Sequence, residues 1–138
     1  MGRRDARKLA FYLLFQYDFV ENNDFDEVKN IFMSVSEDET TENDREYIVT
    51  KTDGVMAHLE EIDEILSKYA KGWTVERMSK VDKAILRLAV YEIKFAPDVP
   101  DKVAVNEAVE LAKTYSSDEA PAFVNGILGK IVSSEADA

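Results

Sequence analysis

Apolar residues recur every three or four positions along most of this chain, the period of an α-helix and not of a strand. Ala6, Leu9, Ala10, Leu13, Tyr17 and Val20 mark one face of a first helix, and the opposite face carries Arg4, Lys8, Phe11, Tyr12 and Phe15. With apolar groups on both sides, that helix is either central and mostly buried or offers aromatic rings to a ligand. A second helix is expected over 25–35, with Phe25, Val28, Ile31, Phe32 and Val35 inward, followed by a polar, acidic loop over 36–43. Ile48, Val55, Leu59, Ile62 and Leu66 predict one long helix over 44–69. Gly54 weakens it, since glycine costs about 1 kcal/mol relative to alanine in a helix interior. Gly72 ends it, and Thr74 caps a single turn reaching Met78. Ser79-Lys-Val-Asp82 has the pattern of a capping box with aspartate in place of glutamate, and it opens a helix through Ile93. Pro97 and Pro100 break the chain. A helix over 103–115 follows, then a last one from Ala120 through Ile131 with Pro121 in its first turn. No alternating strand pattern, internal repeat or low-complexity tract stands out, so the pattern predicts an all-α fold of about seven helices.

Length and composition narrow the class. A chain of 138 residues suits one compact domain with a real core, and 46% apolar with 33% charged residues are globular values. No apolar run is long enough to span a bilayer, and the basic N-terminus leads into an amphipathic stretch and not into a secretory signal. The absence of cysteine excludes disulfides, thiolate zinc sites and cysteine nucleophiles, and it is compatible with a reducing, cytoplasmic setting.

Net charge is −11, an awkward total for a nucleic-acid binder, but it is unevenly spread. Residues 1–20 carry four basic against two acidic groups, whereas residues 21–64 carry three against fifteen. A basic tip thus precedes an acidic middle. Contacts at the tip survive distant carboxylates because salt screens beyond roughly 8 Å at physiological strength.

Enzyme chemistry finds little support. The one histidine, His58, sits among glutamates with no oriented partner in the spacing, so it is read as an exposed helical side chain. Neither phosphate-binding glycine motif occurs, and Glu60, Glu61, Asp63 and Glu64 diverge around a helix instead of converging on a metal. No catalytic residue, cofactor or metal is expected.

Arg3, Arg4, Arg7 and Lys8 place four cations at a helix N-terminus, where the helix dipole disfavours them. Either the tip is a solvated, frayed end or it contacts phosphates, with Phe11, Tyr12 and Phe15 as candidate stacking platforms. Phe123-Val-Asn-Gly126 sits early in a helix, explained either by close packing at Gly126 or by a surface role for Phe123 and Asn125. Asn106 and Glu107 read as local caps at a helix start.

Taken in order, Arg3-Arg4-x-Ala6-Arg7, Trp73 with Arg77, Val81 to Glu92, Val99-Pro100, Val103 to Lys113 and Phe123-Val-Asn-Gly126 resemble the bacterial NusB family over nearly the whole chain. The resemblance implies two small helical bundles sharing a central region, over 1–70 and 71–133, with a frayed tail at 134–138. It also implies binding to single-stranded boxA-type RNA of ribosomal RNA leader transcripts. The expected partners are NusE, a small-subunit ribosomal protein, and the RNA polymerase antitermination complex. NusB-like domains also occur fused to RNA cytosine methyltransferases, but this chain has neither the room nor the cysteine for one. By position, the RNA set is Arg3, Arg4, Arg7, Lys8, Phe15, Phe123 and Asn125, and the NusE-facing set is Glu76 and Asp82. Asp5 interrupts the basic opening, and Ala122 replaces a lysine common before the Phe-Val-Asn-Gly motif; both departures are expected to lower RNA affinity. The alternative is an acidic helical scaffold that docks basic ribosomal or transcription proteins, with RNA contact incidental.

Overall fold

The computed structural model describes residues 3–18, 27, 30, 42–70 and 77–136. Among these, six helices form and no strand: α1 (Arg3–Tyr17), α2 (Glu42–Ala57), α3 (Leu59–Tyr69), α4 (Lys80–Phe95), α5 (Asp101–Tyr115) and α6 (Ala120–Ala136). The all-α expectation holds, with corrections to the count of seven. The helix expected over 25–35 and the turn over 74–78 fall wholly or largely outside the described residues. The helix expected over 44–69 is two.

α4 is the centre. Its Ala84-Ile-Leu-Arg-Leu-Ala-Val90 run is buried on every side, as a helix apolar all round must be. It packs against α1, α2, α3, α5 and α6. Ser79 caps it, its Oγ accepting from the Asp82 backbone N–H at 3.1 Å, so the first half of the expected capping box is present. The Asp82 carboxylate accepts instead from Ser116 Oγ at 2.6 Å, which joins the start of α4 to the end of α5.

α2 and α3 part at His58 and not at Gly54. The His58 N–H is shared between the Gly54 and Val55 carbonyls, and its ring lies on Phe95 with centroids 4.0 Å apart and planes 12° apart. The exposed mid-helix histidine expected from sequence is therefore a half-buried stacking residue at a helix junction. Gly54 has a packing reason: a Cβ there would collide with the Tyr91 ring. The glycine lets α2 lie against α4.

Two charged groups within α4 fasten other elements to it. Arg87 donates to both Asp63 oxygens at 2.9 Å and to Asp18 at 3.2 Å, linking α3 and the end of α1. Burial alone would lower the Arg87 pKa, but the hydrogen bonds and charges of Asp63 and Asp18 raise it. Glu92 holds Arg7 of α1 in the same manner.

α5 begins at Asp101 with Pro100 as N-cap, two residues earlier than the apolar period suggests. Pro121 occupies the first turn of α6, where a missing N–H costs nothing. α6 continues to Ala136, three residues past the expected 133, and Tyr69 Oη donates to Ser134 Oγ at 2.7 Å.

Candidate nucleic-acid interface

α1 and α5 meet through long side chains. Arg4 meets Glu107 and, further along both helices, Phe11 meets Tyr115, so the two run in the same direction where they touch. Their N-terminal contact encloses a groove of about 150 Å³ lined by Arg4, Arg7, Lys8, Glu107, Glu110, Leu111 and Thr114.

Within it, Arg4 donates three hydrogen bonds to Glu107: Nε to Oε2 at 3.1 Å, Nε to Oε1 at 3.3 Å and Nη2 to Oε1 at 3.0 Å. The Arg4 side chain is 66% exposed while that of Glu107 is 16% exposed. The carboxylate is thus the anchored partner and the guanidinium the accessible one. Its hydrogen bond to Glu107, and then that carboxylate's charge, raise the Arg4 pKa. Lys8 lies 3.9 Å from Asp5, a loose pair at the surface. Arg3 opens α1.

Arg7 departs from its sequence reading. Its side chain is 6% exposed and donates Nε and Nη2 to the two Glu92 oxygens at 3.0 and 3.1 Å. Tyr47 Oη donates to the same carboxylate at 3.2 Å. Burial lowers the Arg7 pKa, but the Glu92 bond and charge outweigh it. A guanidinium so enclosed and bidentate anchors α1 to α4 and presents little to a phosphate.

The aromatics divide between core and surface. Phe11 is buried; Phe15 is half-buried, with its ring 6.3 Å from Phe11. Tyr12 and Tyr115 are each 46% exposed, unusual for rings of that size, and Tyr115 reaches α1 by packing on Phe11 with ring centroids 5.3 Å apart. Tyr115 was not singled out by sequence, because its neighbour Phe11 is a hundred residues away along the chain. Glu107 was misread as a cap. With Pro100 as N-cap it lies well inside α5, aimed across at Arg4.

At the far end of α5, a second pocket of about 200 Å³ is lined by Arg77, Met78, Ser79, Asp82, Glu119, Ala120 and Phe123. It brings together Asp82 and Phe123, which sequence had assigned to different surfaces. Phe123 is half-buried, while Asn125 and Gly126 are exposed on α6. A Cβ at Gly126 would meet nothing within 4 Å, so close packing does not explain that glycine. Glu76 lies outside the described residues.

The basic tip read from sequence is therefore largely neutralised in space. Arg4, Arg7 and Lys8 face Glu107, Glu92 and Asp5, and Glu110 stands on the groove's rim. Among the described residues no group of three or more His, Cys, Asp or Glu could hold a metal ion, and no helix is long and apolar enough to cross a membrane.

Comparison with known proteins places this geometry. The NusB family model matches residues 4–133. The transcription antitermination protein NusB of Acetivibrio thermocellus is 47% identical over 132 residues, covering 96% of this chain and 89% of that protein. Among solved structures, T. maritima NusB superposes with a TM-score of 0.86 at 34% identity, covering 95% of this chain and 90% of that one. The NusB of a crystal structure of antitermination factors NusB and NusE in complex with dsRNA gives a TM-score of 0.81 at 30% identity, covering 96% of each chain.

Proposed function

This chain belongs to the NusB family, and from that premise we propose that it is an RNA-binding transcription antitermination factor. It works with NusE on boxA-type RNA of ribosomal RNA leader transcripts and supports read-through by RNA polymerase, in the cytoplasm. It acts by binding and not by catalysis. We divide it into bundles over 1–70 and 71–133 that meet at α4, a reading supported by the packing of α4 against α1, α2 and α3 as well as α5 and α6.

The observation that carries this reading is the pocket shared by Asp82 and Phe123. A basic partner drawn to Asp82 would stand beside the Phe123 ring, and Asn125 and Gly126, exposed further along α6, extend the surface where we place RNA. Partner and RNA then enlarge one another's contact surface. Arg3, Arg4 and Lys8 supply phosphate contacts, Phe123 and Asn125 base or sugar contacts, and Arg7 holds α1 in position. Phe15 serves chiefly as packing behind Phe11. Because the chain itself is acidic, its own grip on RNA is weak, and a cationic partner offsets the −11 charge.

Titration of a boxA-type RNA with the chain, with and without NusE, tests the proposal. Single- and double-stranded forms belong in separate arms, since the related complex contains dsRNA. The expected result is selective binding that NusE strengthens. For three phosphates neutralised by this chain, log K falls with log salt at a slope of about −2 on a single strand. Equal binding of boxA-type and scrambled RNA in every arm overturns it. A scaffold that docks basic proteins, with RNA contact incidental, is favoured by the pairing of Arg4, Arg7 and Lys8 with carboxylates. Its signature is RNA protection by NusE that does not change when this chain is added.

A further inference from the structure

We propose that Glu107 is a specificity-determining residue of the RNA interface, yielding Arg4 to a phosphate only when the RNA offers an amino-bearing base edge in exchange. The inference rests on the proposed function and adds to it a chemical rule for which RNAs are accepted.

Arg4 is the accessible member of its pair, and its guanidinium is already occupied on two nitrogens by Glu107. An RNA phosphate that captures Arg4 must break those bonds. The Glu107 carboxylate is then left at 16% exposure, close to a second negative group and with Glu110 on the same groove. A partly buried carboxylate without a partner is costly, and its proximity to phosphate adds repulsion. The other two cations lining the groove do not take its place: Arg7 is held by Glu92, and Lys8, loosely paired with Asp5 at 3.9 Å, serves a phosphate of its own.

The RNA itself can supply the missing donor. Carboxylates accept hydrogen bonds from exocyclic base amines, as glutamate and aspartate do from cytosine N4. An RNA presenting such an amine over the groove exchanges one charge-assisted pair for two: phosphate with Arg4, and amine with Glu107. An RNA without it breaks the pair and gains half the return. Tyr115, exposed at the end of α5 where it meets Phe11 of α1, offers a ring on which that base can stack.

The experiment uses the chain with NusE and two RNAs of equal length: a boxA-type sequence and oligouridine, which has no exocyclic amine. Glu107→Gln is expected to raise oligouridine affinity about fivefold, the size of an exposed ion pair, while boxA-type affinity stays level or falls. The salt slope for oligouridine should steepen by about 0.7, since Arg4 becomes free for one more phosphate. In an Arg4→Gln background the same substitution should change neither. Equal gains for both RNAs, no gain for either, or a gain that persists without Arg4 overturns the role of Glu107. A wild-type chain that does not prefer the boxA-type RNA over oligouridine instead overturns the proposed function, so the two failures are told apart before any variant is made. Both variants leave the buried contacts of α1 and α5 in place, and matching thermal melts confirm an intact fold.

Discussion

Arg7 and Glu92 meet inside the core through hydrogen bonds of 3.0 and 3.1 Å, although they stand 85 residues apart in the chain. Removing one partner strands a buried charge. Glu92→Leu or Arg7→Met alone is expected to destabilise by about 3–5 kcal/mol, and the two together to recover most of that loss. Urea unfolding of the three variants checks it. The double variant also tests the role given to Arg7: RNA affinity within twofold of wild type fits an anchor, and a tenfold loss with the fold intact would return it to the RNA surface.

Gly54 and Tyr91 give a substitution whose sign is diagnostic. Helix propensity alone predicts that Gly54→Ala stabilises by about 1 kcal/mol. The collision of the new Cβ with the Tyr91 ring predicts a loss of about 1–3 kcal/mol. We expect the loss to win in the native background and the gain to appear once Tyr91→Ala has removed the ring. Chemical denaturation of both backgrounds decides.

Gly126 is the opposite case. Open space surrounds it, so Gly126→Ala should raise stability by about 0.5–1 kcal/mol. RNA affinity should nevertheless fall about fivefold or more, because the nucleic-acid backbone then meets a methyl group. Undiminished RNA binding in a more stable variant takes Gly126 out of the interface.

Thr52 is fully buried in α2, and its Oγ1 has no hydrogen-bond partner among the described residues. Thr52→Val keeps the β-branched shape and removes the unsatisfied hydroxyl. A gain of about 1 kcal/mol is expected in thermal or urea unfolding, and a loss would reveal a partner for that oxygen.

Local pattern made much of this architecture legible. The apolar period through Ile93 announced the course of α4, Ser79 its start, and Pro121 the start of α6. What stayed hidden was set by partners distant in sequence. The helix breaks at His58, whose ring lies flat on Phe95, and a Cβ at Gly54 would strike the Tyr91 ring. The same holds at the candidate site. Arg4 and Lys8 were found by composition, but their neutralisation by Glu107 and Asp5, and the burial of Arg7, were not visible in a count of charges. The meeting of Asp82 and Phe123 on the walls of one pocket likewise belongs to the folded chain and not to either motif.

The cross-links from α1 to Glu92 and Glu107 also bear on how the protein is made. Arg4 and Arg7 are synthesised unmatched, because their counter-ions Glu107 and Glu92 follow them by 103 and 85 residues. Loops that long close late, because their entropy must be spent before the contact forms. α1 therefore stays an unsatisfied cationic segment until α4 and α5 have been made, and only then finds its seat.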